Sequence, residues 1–383
     1  MADATQTLPF RPSQHMSSGF VETSNAESAV AAPRPRKDKK KKKMTTKRSF
    51  PYFDDGNLVI SAKSESQDRF LFRVHKSILS FHSPVFADMF ALPTPADVTN
   101  IDSYDGVPLL HMPDPADEVA SLLKFMYNLK SFADRRHEPW LPWRARPIME
   151  LCKKYEIDGL LDHLKSRIES AWPKTLVEWD ALEAEIAHYN DTRGIGDDIV
   201  DNQYPEPAMA IMVATQFELD AVLPVAFYHL SRLDTEMDRK YYSEVDDDAF
   251  LYRITDGERS ANWGCLGADE LLTLTRGRER LKSMYYWISR HLDNPAFRCS
   301  SDKDTQCSKI LSKMRKDFQG QGSQRGDLLE HLKTGFSSTT LEGSGLCFRC
   351  TRRLEEEVKE MREILWDDLR GVFFDERFKC EWR

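Results

Sequence analysis

The spacing of apolar positions changes character several times along this chain. From residue 1 to about 48 there is almost no aliphatic periodicity, and Ser, Ala, Pro and Lys dominate. Such a segment cannot bury enough apolar surface to offset the entropy of ordering, and the pattern predicts a disordered arm. From Asn57 onward the pattern is different. "LVISA" (58–62) and "RFLFRV" (69–74) are short β-branched and aromatic runs separated by a polar stretch, which predicts a hairpin. "KSILSFH" and "SPVFADMF" then shift to helical spacing, with Ser83 as a cap and Pro84 in the first turn. "VPLLHM" (107–112) reads as a third strand. "DPADEVASLLKFMYNL" puts Val119, Leu122, Leu123, Met126 and Leu129 on one helical face behind an acidic first turn. Two more helices, "ARPIMELCKKYEI" and "DGLLDHLKSRIESAW", close a mixed unit near residue 172.

Beyond that point the periodicity is helical throughout. "TLVEWDALEAEIAHY", "EPAMAIMVATQFEL", "DAVLPVAFYHLSRL" and "ADELLTLTRGRERLKSMYYWISRHL" carry apolar residues at three-to-four spacing between Gly, Asp and Pro breaks. In the last of these, Tyr285, Tyr286 and Trp287 read as core. "GQGSQRG" (320–326) reads as a flexible linker, since no strand precedes it and no Lys-Ser/Thr follows as a phosphate-binding loop requires. The fold class expected is α+β, in four parts: a basic arm (1–48), a small sheet with helices (49–172), an all-helical extension (173–293) and a helical, cysteine-bearing C-terminal region (294–383).

Charge and cysteine placement add to this picture. The chain has 383 residues and a formal charge of −8, yet Arg34–Arg48 holds ten Lys/Arg against Asp38, so +9 sits in that stretch and −17 elsewhere. Dense charge on a flexible backbone suits a nuclear-import receptor or loose contact with polyanions; the plain alternative is a solubilising tail. No apolar run approaches the roughly 18 residues of a membrane span, and the N-terminus lacks the order of a signal peptide. A soluble nuclear or cytoplasmic protein is expected, without membrane partners. Seven cysteines, with Cys152, Cys265 and Cys380 isolated, suit a reducing compartment.

The order of elements, with "NLVISA", "FLFRVHKSILSFHSPVFADMF", "VPLLHMPDPADEVASLLKFMYNL" and "LCKKYEIDGLLDHL", resembles a BTB/POZ domain over residues 55–171. The resemblance implies a non-enzymatic protein-interaction module that forms a homodimer and recruits protein partners, a cullin among them. The settings it suggests are a ubiquitin-ligase adaptor or a transcriptional co-regulator, and the alternative is a nuclear regulator that contacts nucleic acid weakly through the arm. It also implies that His75, where strand turns into helix, packs and hydrogen-bonds as scaffold; His82 reads as a partly exposed helix-end residue. Family members often line a charged pocket at the dimer interface with an Asp and a basic residue; Asn57 and Lys76 occupy those positions, so half of that pair is missing. The long loop 131–147 suits a branch common in fungi that carries neither kelch repeats nor DNA-binding fingers. No catalytic or cofactor-binding residues are assigned.

Cys299, Cys307, Cys347 and Cys350 form a second feature. "CFRC" supplies two sulfurs from one turn, and the other pair arrives from a distant stretch, as a structural zinc site requires. The seven residues between Cys299 and Cys307 exceed the usual spacing, and four reduced buried thiols remain the bland reading.

Overall fold

The structure, a computed structural model, describes residues 45–93, 102–127, 136–194, 198–239, 252–254, 256–292, 299, 304–321 and 326–375. Residues 1–44, Leu129 and Cys380 lie outside the described residues, and with them most of the expected arm.

Five strands form one sheet: β1 (Thr46–Tyr52), β2 (Leu58–Lys63), β3 (Arg69–Val74), β4 (Ser103–Tyr104) and β5 (Val107–Pro115), in the order β1-β3-β2-β5-β4. β2 and β3 are antiparallel, with Ile60 opposite Phe72, while β1 runs parallel to β3 and β5 parallel to β2. β2 is buried on both faces from Leu58 to Ala62, which explains why its apolar residues do not alternate with exposed polar ones. Asp105 and Gly106, both at positive φ, make the two-residue turn between β4 and β5. The sheet curls so that its edges meet. Arg48 and Tyr52 of β1 both reach the Asp105 carboxylate at 2.6 Å. Burial and that carboxylate push the Tyr52 hydroxyl up to about 12.

β1 corrects the boundary of the arm. Lys47 and Arg48 belong to the sheet because their backbones pair with Phe70 and Leu71, a tertiary contact that a basic, aperiodic sequence does not announce.

Helices cover the sheet: α1 (Lys76–His82), α2 (Pro84–Ala91), α3 (Ala116–Met126), α4 (Leu141–Lys154) and α5 (Asp158–Ser170). α2 starts as expected, with the Ser83 hydroxyl accepting from Phe86 N–H at 3.2 Å and Pro84 in the first turn. α4 starts at Leu141, four residues before the expected helix, because Pro142 suits a first turn and Leu141 and Ala145 are buried.

The helical region follows: α6 (Leu176–Thr192), α7 (Pro207–Phe217), α8 (Leu223–Arg232), α9 (Ala268–His291), α10 (Asp304–Gln321), α11 (Leu328–Gly335), α12 (Ser338–Gly343), α13 (Phe348–Asp367) and α14 (Leu369–Phe374). Its core is continuous with that of the sheet unit. α4 packs against α7, where Lys153 lies over the Phe217 ring at 4.7 Å and Arg146 Nε donates to Gln216 Oε1 at 2.7 Å. α10 extends into the expected linker as far as Gln321. Its apolar side, with Phe318 buried and Leu311 and Met314 partly so, packs on that core, and packing outweighs the poor helix propensity of Gly320. Of the three aromatics read as core, only Tyr285 is (3% exposed); Tyr286 is 51% and Trp287 37% exposed, since buried positions on α9 fall at Leu281, Met284, Tyr285 and Ile288.

Candidate interaction surface and metal centre

His75 ends β3 and precedes α1. Its backbone N–H donates to Tyr127 Oη at 2.7 Å, its Nδ1 lies 2.9 Å from the same oxygen, and its Nε2 is 3.3 Å from Asp55. These contacts tie the end of α3 to the sheet, and burial raises the Tyr127 hydroxyl. Asn57 Oδ1 accepts the Lys76 N–H at 2.8 Å, so this neutral residue fastens the start of α1. His82 Nε2 sits 2.9 Å from Met126 O, half-buried at the helix end. Beneath the surface, Phe86 is 2% exposed and stacks on Tyr155 with centroids 4.9 Å apart, while Ser83 Oγ donates to Tyr155 O at 2.5 Å. Outward, Phe81 of α1 is 82% exposed and Leu92, the residue after α2, 70%.

Residues 63–171, spanning β2's last residue through α5, match the family model of the BTB/POZ domain. The chain carries a BTB/POZ domain. A comparison of the whole chain with curated proteins finds no match. BTB/POZ domains are in general protein-interaction modules. Among the described residues no helix is long and apolar enough to cross a membrane.

Far along the chain from the BTB/POZ domain, the four cysteines named above converge. Cys307 lies in the first turn of α10, Cys347 is the residue immediately before α13, and Cys350 is in the first turn of α13, which starts earlier than its charged sequence suggests. The sulfurs of Cys299, Cys307, Cys347 and Cys350 all lie within 4.8 Å of one another. Tetrahedral coordination at a Zn–S length of about 2.3 Å puts sulfurs about 3.8 Å apart, which this spread accommodates. Cys299 and Cys347 Sγ are 3.5 Å apart, far beyond the roughly 2.05 Å of a disulfide. The Cys347 N–H donates to Cys307 Sγ at 3.4 Å, the kind of contact that steadies a thiolate. Burial raises both the Cys307 and the Cys350 thiols, so without a cation the cluster favours protonated sulfur. The donor set therefore suits a soft metal ion. Cys152 and Cys265 are elsewhere, each pushed up to about 12 by burial.

Sequence reasoning missed a set of buried charges in the helical region. Arg232 of α8 pairs with Glu183 of α6 at 2.8 Å and with Asp327, which caps α11 by accepting Glu330 N–H at 3.1 Å. Tyr228 Oη donates to Asp327 at 2.6 Å. Despite burial, Arg232 and these donors hold the Asp327 carboxyl below the usual carboxylate range. Asp201 receives Arg259 Nε at 2.6 Å, and Glu206 receives the Ala208, Met209 and Asn262 N–H groups. Burial, then Arg232 and Arg259, keeps His229 well below the ordinary imidazole range. The Ser/Asp-x-x-Glu cap spacing at Asp327 was a readable signal; the long-range partners were not.

Proposed function

We propose that the chain is a non-enzymatic recruitment module whose BTB/POZ domain self-associates and whose helical region presents a surface to a protein partner. The observation that supports this reading is the pair of large apolar side chains, Phe81 and Leu92, left 82% and 70% exposed on a fold of the interaction class. On this reading the partner is a cullin of a ubiquitin ligase or a component of a transcriptional complex. The stretch Arg34–Arg48 directs nuclear import and adds weak contact with nucleic acid. Cys299, Cys307, Cys347 and Cys350 hold one structural zinc ion, supported by the sulfur spacing and by the Cys347 N–H on Cys307.

Sedimentation of the full chain at micromolar concentration tests the core of this reading. A dimer that Phe81→Asp converts to a folded monomer is expected, and a wild-type monomer would sink the self-association. Affinity capture from the native cell with mass spectrometry then separates the cullin from the transcriptional setting.

A further inference from the structure

α9 and α10 lie side by side, and the groove between them is lined by positive and neutral side chains. Arg290, Arg315 and Lys316 supply the cations, Ser289, Ser312 and Gln319 the neutral groups, and Tyr286 one wall. No carboxylate among the described residues lines it. The two acids of α10, Asp304 and Asp317, lie outside the groove.

Three features make this more than a solvated face. Arg315 is fixed in place, its Nη1 donating to Leu292 O at 2.6 Å. Lys309, Lys313 and Lys316 are exposed at four- and three-residue spacing, so they extend the cationic side of α10 beyond the groove. Arg290 and these three lysines form no ion pair among the described residues, whereas the neighbouring Lys282 does, with Glu279. On a chain with net charge −8, an unneutralised row of this kind selects for an external anion. The extended row fits a repeating phosphate backbone better than a single phosphate group.

Tyr286 decides the class. It stands on the same face of α9 as Arg290, four residues away, with Trp287 set edge-on at 6.0 Å, and both rings are open to solvent. An exposed ring beside a cationic track offers a stacking platform for unpaired bases, which a duplex cannot supply. We propose that the α9–α10 groove binds single-stranded nucleic acid, with Arg290, Lys316 and the lysines of α10 on the phosphates and Tyr286 stacked on a base.

The test is fluorescence anisotropy of the full chain with a fluorescein-labelled single-stranded oligothymidylate, read across a salt series. Arg290→Glu with Lys316→Glu should weaken binding at least about tenfold and flatten the log–log salt slope by about 1.4, roughly 0.7 per lost phosphate contact. Tyr286→Ala should weaken it by roughly tenfold with an unchanged salt slope. A second background, with Lys39–Lys43 changed to Gln, should retain both losses. All of these side chains except those of the arm are seen to be exposed, and circular dichroism would verify that the fold is kept. Wild-type affinity in the double variant overturns the proposal. So does equal binding of a matched duplex with no effect of Tyr286→Ala, or loss of all binding when the arm alone is neutralised.

Discussion

In the BTB/POZ unit the buried polar side chains are Ser61, Ser83 and a single acid, Glu138, paired with Arg144 at 2.6 Å, whereas the helical region buries Asp201, Glu206, His229 and Arg239. The two regions share one apolar core but differ in what fixes their geometry. Around the sheet, close-packed apolar side chains do so, and a cavity is the main route to failure. Among the helices, buried charges are held in small networks, Arg232 between Glu183 and Asp327 and Glu206 on three N–H groups, and stranding a member is the main route. The difference teaches that helices sharing an apolar core can also be held in register by a few desolvated pairs, each intolerant of change.

The largest expected effect tests the second half of that contrast. Asp327→Ala removes the helix cap, the Tyr228 partner and a counter-charge of Arg232 together, and should cost about 5 kcal/mol in chemical denaturation, the upper end for breaking a buried pair. A loss under about 1 kcal/mol would show that Arg232 is satisfied by Glu183 alone. Next, Phe86→Ala in the apolar half should cost about 3–5 kcal/mol by the same measurement. Third, elemental analysis should find about one zinc per chain. Cys350→Ser should lower that content and open the segment between Cys299 and Cys347 to protease. An undiminished melting temperature after chelation would leave the cysteines as ordinary buried thiols.

Acid sensitivity gives a smaller effect. His229 is held neutral in the fold, so below an ordinary imidazole pKa of about 6.5 the unfolded chain takes up a proton that the folded chain does not. Stability should be full above that value and fall by up to about 1.4 kcal/mol per pH unit below it. His229→Phe should reduce this slope between pH 6.5 and 5 by the His229 share, leaving the part due to His137 and His331, whose imidazoles burial also lowers, while the Asp327 carboxyl, held below the usual carboxylate range, loses its share only in stronger acid. Smallest of all, His75→Gln should cost under about 1 kcal/mol, because Tyr127 also holds the His75 backbone N–H.

What the sequence made legible follows the same division. Alternation and helical spacing located β2, β3, β5 and α1 to α3, since apolar burial is written in local periodicity. β1 was hidden because Lys47 and Arg48 continue a charge run, and its pairing partner lies more than twenty residues away. β4 carried a usable sign in "YDGV", whose Asp-Gly supplies the two positive-φ positions of a tight hairpin. α10 was obscured by its lysines, although Ile310, Leu311, Met314 and Phe318 keep a helical period. The four cysteines could be singled out by clustering and by the "CFRC" turn, but their convergence depends on how α10 and α13 pack. Nothing local in the sequence marks Arg232 and Asp327 as a buried pair; only the fold brings them together and desolvates them.

The seam between α4 and α7 bears on how such a chain can be inherited. Lys153 on the Phe217 ring and Arg146 on Gln216 mean that the outward side of a BTB helix is already occupied from within the same polypeptide. A recombination event cutting near residue 172 would strand an apolar, half-matched face on each product. The domain and its helical companion thus shield each other, and a change on either side of the seam is felt on the other.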